Sequence, residues 1–99
     1  MRIQLLYFDG CPNWLVMHER LREAAASVVG DCDIELVEVL SPEMAVDWGF
    51  HGSPSVLVDG TDLFAEPGAP VGLACRLYPT LDGVRGAPTL EQVVAALGR

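Results

Sequence analysis

Arg2-Ile3-Gln4-Leu5-Leu6-Tyr7-Phe8-Asp9-Gly10-Cys11-Pro12-Asn13-Trp14 reads as a strand, a tight break and the first turn of a helix, with one thiol at the junction. The run from Arg2 to Phe8 is nearly continuous in apolar residues, the pattern of a strand covered on both faces. Gly10 breaks it, and Pro12 suits a first helical turn because its missing N–H has no partner there to lose. Beyond it Trp14, Met17, Leu21, Ala24 or Ala25, and Val28 recur at helical spacing. His18, Glu19, Arg20, Arg22 and Glu23 take the opposite face, and Gly30 supplies the stop.

Working outward, residues 32–40 are rich in Ile, Leu and Val and predict a second strand, whose alternation slips phase between Leu36 and Val37. Ser41, Pro42 and Glu43 form an N-cap, a first-turn proline and a first-turn acid, opening a short helix to about Trp48 that Gly49 closes. A strand, a helix and a strand in this order imply a parallel pair joined by a crossover. Ser55-Val56-Leu57-Val58 and Thr61-Asp62-Leu63-Phe64-Ala65 flank Asp59-Gly60, the signal of a hairpin. Residues 66–88 are heavy in Gly and Pro and longer than an ordinary connection, as functional loops often are. Within them, residues 71–78 suggest a short helical turn carrying Cys75. Thr89-Leu90-Glu91-Gln92 is a capping box, and Leu90, Val93, Val94 and Leu97 form the apolar stripe of a last helix. The order β-α-β-α-β-β-α suits an α/β fold with helices on both faces of a four-stranded mixed sheet. Ninety-nine residues fit one domain, 1–99, with a single modest core.

Composition narrows the function classes. A hydrophobic fraction of 51% argues for a globular chain. No apolar run approaches the ~20 residues of a membrane span, and the run closed by Asp9 is too short for a signal peptide, so the expected location is cytoplasmic. A formal net charge of -8 disfavours nucleic acid and anionic membranes as partners. Three cysteines in a cytosolic setting point to free, catalytic or metal-binding thiols rather than a disulfide framework.

Two motifs carry a likeness to a known family. The strand and helix around Phe8-Asp9-Gly10-Cys11-Pro12-Asn13-Trp14 resemble the active-site segment of the thioredoxin-like superfamily, glutaredoxins and minimal thioredoxins in particular. Gly49-Phe50-His51-Gly52-Ser53-Pro54-Ser55 is similar to that family's glycine-x-x-glycine-x-proline segment, whose proline is cis. By element order the likeness covers the whole chain, with residues 66–88 longer than the family core requires. It implies a thioredoxin-like fold and a thiol–disulfide oxidoreductase acting on a low-molecular-weight thiol or a protein disulfide. Cys11 then stands at the nucleophile's position, where a helix start stabilises a thiolate. Pro12, Trp14, Ser53 and Pro54 then line the substrate groove. The departure is Trp14, which stands where a Cys-x-x-Cys motif has its second thiol and makes the motif a monothiol one.

A resolving thiol must therefore come from elsewhere, and Cys75 in the long loop is the candidate. The pair could instead hold a soft metal ion or an organomercurial, or Cys75 could be a small buried apolar residue. A non-catalytic interaction module using the apolar residues 71–78 is a further alternative. Cys32 reads as a buried strand residue, and Trp14 as a core anchor. His51 is a candidate modulator of the Cys11 thiolate, set against a plain solvent-exposed role. His18 reads as solvated, and Arg76 as a surface arginine or a ligand for a substrate carboxylate. No resident metal or cofactor is expected, since phosphate-loop and zinc-finger spacings are absent from the sequence.

Overall fold

The computed structural model describes residues 1–30 and 33–98. The strand β1 (Ile3–Tyr7) is central in a four-stranded mixed sheet of order β2-β1-β3-β4. It runs parallel to β2 (Ile34–Glu38), with Ile3 opposite Ile34, and antiparallel to β3 (Ser55–Val58), with Leu6 opposite Ser55. The strand β4 (Thr61–Asp62) closes the other edge. Because successive residues of a strand face opposite sides, β1 feeds two cores. Ile3 and Leu5 pack with Met17, Leu21, Ala24, Val93 and Leu97, from the helices α1 (Asn13–Val28) and α3 (Leu90–Leu97). Leu6 packs on the opposite face with Val37, Val39, Phe50, Leu57 and Ala45 of the helix α2 (Pro42–Trp48).

The local start and stop signals operate as physical devices. Ser41 Oγ accepts from Met44 N at 3.1 Å, and Gly49 ends α2 with φ 63, a left-handed conformation that glycine adopts without steric cost. Thr89 and Gln92 satisfy each other's backbone reciprocally at the start of α3. Asp59 and Gly60 both have positive φ (51 and 85), which matches the twist of the two strands they join.

Several expectations need correction. The strand after Asp59-Gly60 stops at Asp62, because Asp62 Oδ1 takes the backbone N–H of Phe64 at 2.9 Å and turns the chain. Val28 is exposed, the helix having carried it beyond the covered face. Leu36 is also exposed on the edge strand β2, which explains the slipped alternation there. The expected helical turn over residues 71–78 does not form: the chain bends at residues 72–74, where Ala74 N donates to the Gly72 carbonyl at 3.1 Å, and Cys75 then makes an isolated parallel bridge with Ser53. Tyr78 begins a two-stranded hairpin of β5 (Tyr78–Thr80) and β6 (Gly83–Arg85), which Gln92 Nε2 ties to α3 through the Pro79 carbonyl at 2.8 Å. The expectation for Cys32 lies outside the described residues.

Candidate functional site

Topology brings the two sequence motifs together. β1 and β3 are antiparallel, so the residues after β1 lie beside those before β3. Phe8 N donates to Ser53 Oγ at 3.3 Å, and Cys11 N donates back to the Phe8 carbonyl at 3.2 Å, turning the chain into α1. Cys11 thus sits just ahead of the helix with its Sγ 3.5 Å from the Ser53 carbonyl. The Ser53-Pro54 peptide bond is cis. Cys11, Ser53 and Pro54 are all fully buried, while Pro12 is exposed.

The third element is the segment 72–76, which crosses this point. Gly72 N donates to the Phe50 carbonyl (3.1 Å), Ser53 N to the Ala74 carbonyl (2.8 Å) and Arg76 N to the Ser53 carbonyl (2.8 Å). Both backbone groups of Ser53 are thereby occupied by the chain itself. Gly52 makes the approach possible: with φ +110, a Cβ there would lie 3.0 Å from the Ala74 carbonyl oxygen and 3.0 Å from Arg76 Cβ. Tyr78 extends the attachment, its phenol donating to the Pro54 carbonyl at 2.5 Å.

Arg76 anchors the segment from below. Its guanidinium meets Asp62 at 2.8 Å, with both side chains about nine-tenths buried, and donates to Ser55 Oγ (3.1 Å) and the Phe64 carbonyl (2.5 Å). It also lies 4.9 Å from the Tyr78 ring centroid. The expected surface arginine is therefore a buried structural one, and its charge is spent within the fold. A buried guanidinium keeps its place only where a carboxylate and further acceptors surround it, and Asp62, Ser55 and Phe64 supply them.

The consequence lies at sulfur. Cys75 Sγ is 3.0 Å from Cys11 Sγ, although 64 residues separate them in sequence. The Cys75 thiol donates to Cys11, and Cys11 in turn donates to the Ser53 carbonyl, forming a short relay. Asn13 Nδ2 approaches Cys11 Sγ at 3.9 Å. The hydrogen bond between Cys75 and Cys11, with some desolvation, holds the Cys75 thiol above its ordinary pKa. A disulfide bond is about 2.05 Å long, so closing this pair requires the sulfurs to approach by about 1 Å. The two differ sharply in access: Cys11 has no exposed surface, whereas Cys75 is exposed.

The other candidates have partners of their own. Trp14 is half-buried against the core and stacks on Tyr7 with ring centroids 4.1 Å apart, as an anchor does. His18 is half-buried on its far side, 6.3 Å from the indole, and burial lowers its pKa. His51 is half-buried too, and its Nδ1 meets the Pro70 carbonyl at 3.1 Å, pinning the start of the crossing segment. Sequence reasoning passed over Asn13, Gly52, Asp62 and Tyr78. Gly52 carried a signal, as a glycine two residues before the proline, and Asp62 carried one as a turn-forming side chain two residues before Phe64. Comparison with known proteins finds no matching family model, no similar curated protein and no similar solved structure.

Proposed function

We propose that Cys11 and Cys75 are the redox pair of a thiol–disulfide oxidoreductase built on a thioredoxin-like architecture. The observation that carries this reading is the 3.0 Å separation of two free thiols, held by a backbone bridge between Ser53 and Cys75. Two thiols fixed in contact convert the second step of exchange into an intramolecular one, which raises its effective concentration far above that of a dissolved thiol. A four-stranded mixed sheet with helices on both faces, and the Ser53-Pro54 segment lying beside Cys11, support the architectural part. A reducing cytoplasmic setting would return the pair to its dithiol form between cycles.

The chemistry is a two-electron exchange. One thiolate attacks an external disulfide and releases the first thiol. The other then attacks the mixed disulfide, forming the Cys11–Cys75 bond and releasing the second. Reacting the reduced protein with bis(2-hydroxyethyl) disulfide tests this: two equivalents of mercaptoethanol should appear per chain, with an internal disulfide formed. Release no greater than that from the double variant Cys11→Ser/Cys75→Ser would overturn the reading.

A further inference from the structure

We infer that Cys75 is the attacking thiol and Cys11 the buried resolving thiol, and that their substrates are small disulfides, not extended polypeptide segments. This deepens the redox reading above and rests on it. It inverts the order expected from the helix-start motif, in which Cys11 attacks first.

Access decides the order. An attacking sulfur must approach along the axis of the disulfide it breaks, so it needs open space in front of it. Cys11 has none: it is fully buried, with the Ser53 carbonyl at 3.5 Å, Asn13 at 3.9 Å and Cys75 itself at 3.0 Å. Cys75 is exposed, and a disulfide arriving from solvent meets it first.

Backbone pairing decides the substrate class. An extended polypeptide laid beside the cis-proline would need the N–H and C=O of Ser53. Ala74 and Arg76 hold both at 2.8 Å, and Gly52 lets them approach closely. Displacing them would break the Gly72–Phe50 bond, strand the buried Arg76–Asp62 pair and release Tyr78 from Pro54. The crossing segment therefore stays in place during the reaction and leaves Cys75 as a point of contact without a strand-pairing groove. Leu73 and Leu77, two residues to either side, are exposed, while Arg76 turns inward to Asp62. A small, uncharged disulfide fits these surroundings.

The steps balance. The Cys75 thiolate attacks one sulfur of RSSR, forming Cys75–S–S–R and expelling RS⁻, which takes a proton from water. The Cys11 thiolate then attacks Cys75 Sγ, forming the Cys11–Cys75 bond and expelling the second RS⁻, which is protonated likewise. Two electrons pass from the dithiol to the substrate, which leaves as two RSH.

Single-cysteine trapping tests the assignment. Reduced Cys11→Ser and Cys75→Ser variants are exposed to bis(2-hydroxyethyl) disulfide, and adducts are located by tandem mass spectrometry. Cys11→Ser should accumulate a stable mixed disulfide at Cys75, while Cys11 in Cys75→Ser should react at least about tenfold more slowly, since it needs local opening. Brief iodoacetamide treatment of the unaltered protein gives the same comparison without relying on a variant's fold, and Cys75 should be alkylated first by a similar margin. A peptide of about ten residues carrying a cysteine–mercaptoethanol mixed disulfide should react more slowly than the small disulfide by about tenfold or more, if extended chains lack a groove. An adduct on Cys11 ahead of Cys75 overturns the order of attack, and an equally fast peptide overturns the substrate class, in both cases with the redox pair intact. Absence of any internal disulfide in the unaltered protein removes the underlying redox reading instead.

Discussion

Replacing Arg76 by Met should loosen the crossing segment and separate the two sulfurs. Arg76 and Asp62 meet at 2.8 Å with side chains 8% and 10% exposed. Methionine approximates the arginine stem but strands the Asp62 carboxylate in a site that water reaches poorly. Breaking a buried pair by removing one partner costs about 3–5 kcal/mol. The lost donors to Ser55 Oγ and the Phe64 carbonyl push towards the upper part of that range. Adding Asp62→Asn should recover about 1–3 kcal/mol, since the stranded charge disappears. The amide oxygen can still accept from Phe64 N, as Asp62 Oδ1 does at 2.9 Å. Urea unfolding at pH 7, followed by tryptophan fluorescence, gives the stabilities. Closure of the Cys11–Cys75 disulfide in Arg76→Met should slow in parallel. A loss below about 1 kcal/mol, the range of exposed ion pairs, would refute the reasoning, as would a second substitution that recovers nothing.

Three further outcomes follow from the same geometry. Gly52→Ala should destabilise by about 1–3 kcal/mol from its positive φ alone, with a further cost for crowding Ala74 and Arg76, and should slow disulfide closure. Burial pushes the Tyr78 phenol well above its ordinary value of 10.0, so its contribution is complete below that pH and is lost as pH rises above it. Unaltered protein should then lose up to about 1.4 kcal/mol more per pH unit above 10 than Tyr78→Phe does, and equal alkaline slopes in urea titrations would contradict this. Cys11→Ala removes the acceptor that holds the Cys75 thiol up, so the pH profile of Cys75 alkylation should move to lower pH. The neutral-pH rate should rise about threefold for each unit the pKa falls, because lower basicity offsets part of the larger thiolate fraction; an unchanged profile would show that the hydrogen bond is unimportant.

Where structure follows from neighbours in sequence, it was legible. The strand before Cys11, the caps at Ser41 and Thr89 and the turn at Asp59-Gly60 need only periodicity and local hydrogen-bonding chemistry. The short β4 was legible in principle too, since Asp62 turns the chain with its own side chain. Residues 71–78 were not. Their path is set by bonds to Phe50, Ser53 and Pro54, some twenty residues away, and no local pattern encodes those partners. Arg76 looked like a surface residue for the same reason, its burial depending on Asp62, Ser55 and Phe64. The motifs did point to Cys11, Ser53 and Pro54 as neighbours and to Cys75 as a possible partner thiol. Which sulfur faces solvent depends on the path of the crossing segment, and that path was hidden.

The most direct test of the central claim is a redox titration in dithiothreitol buffers, with free thiols alkylated at each potential and cross-links mapped by tandem mass spectrometry. The account requires one reversible two-electron transition in which the Cys11 and Cys75 thiols vanish together and a Cys11–Cys75 cross-link appears within one chain. Both thiols remaining alkylatable at the oxidising end, or cross-links through Cys32 or between chains in their place, would contradict it.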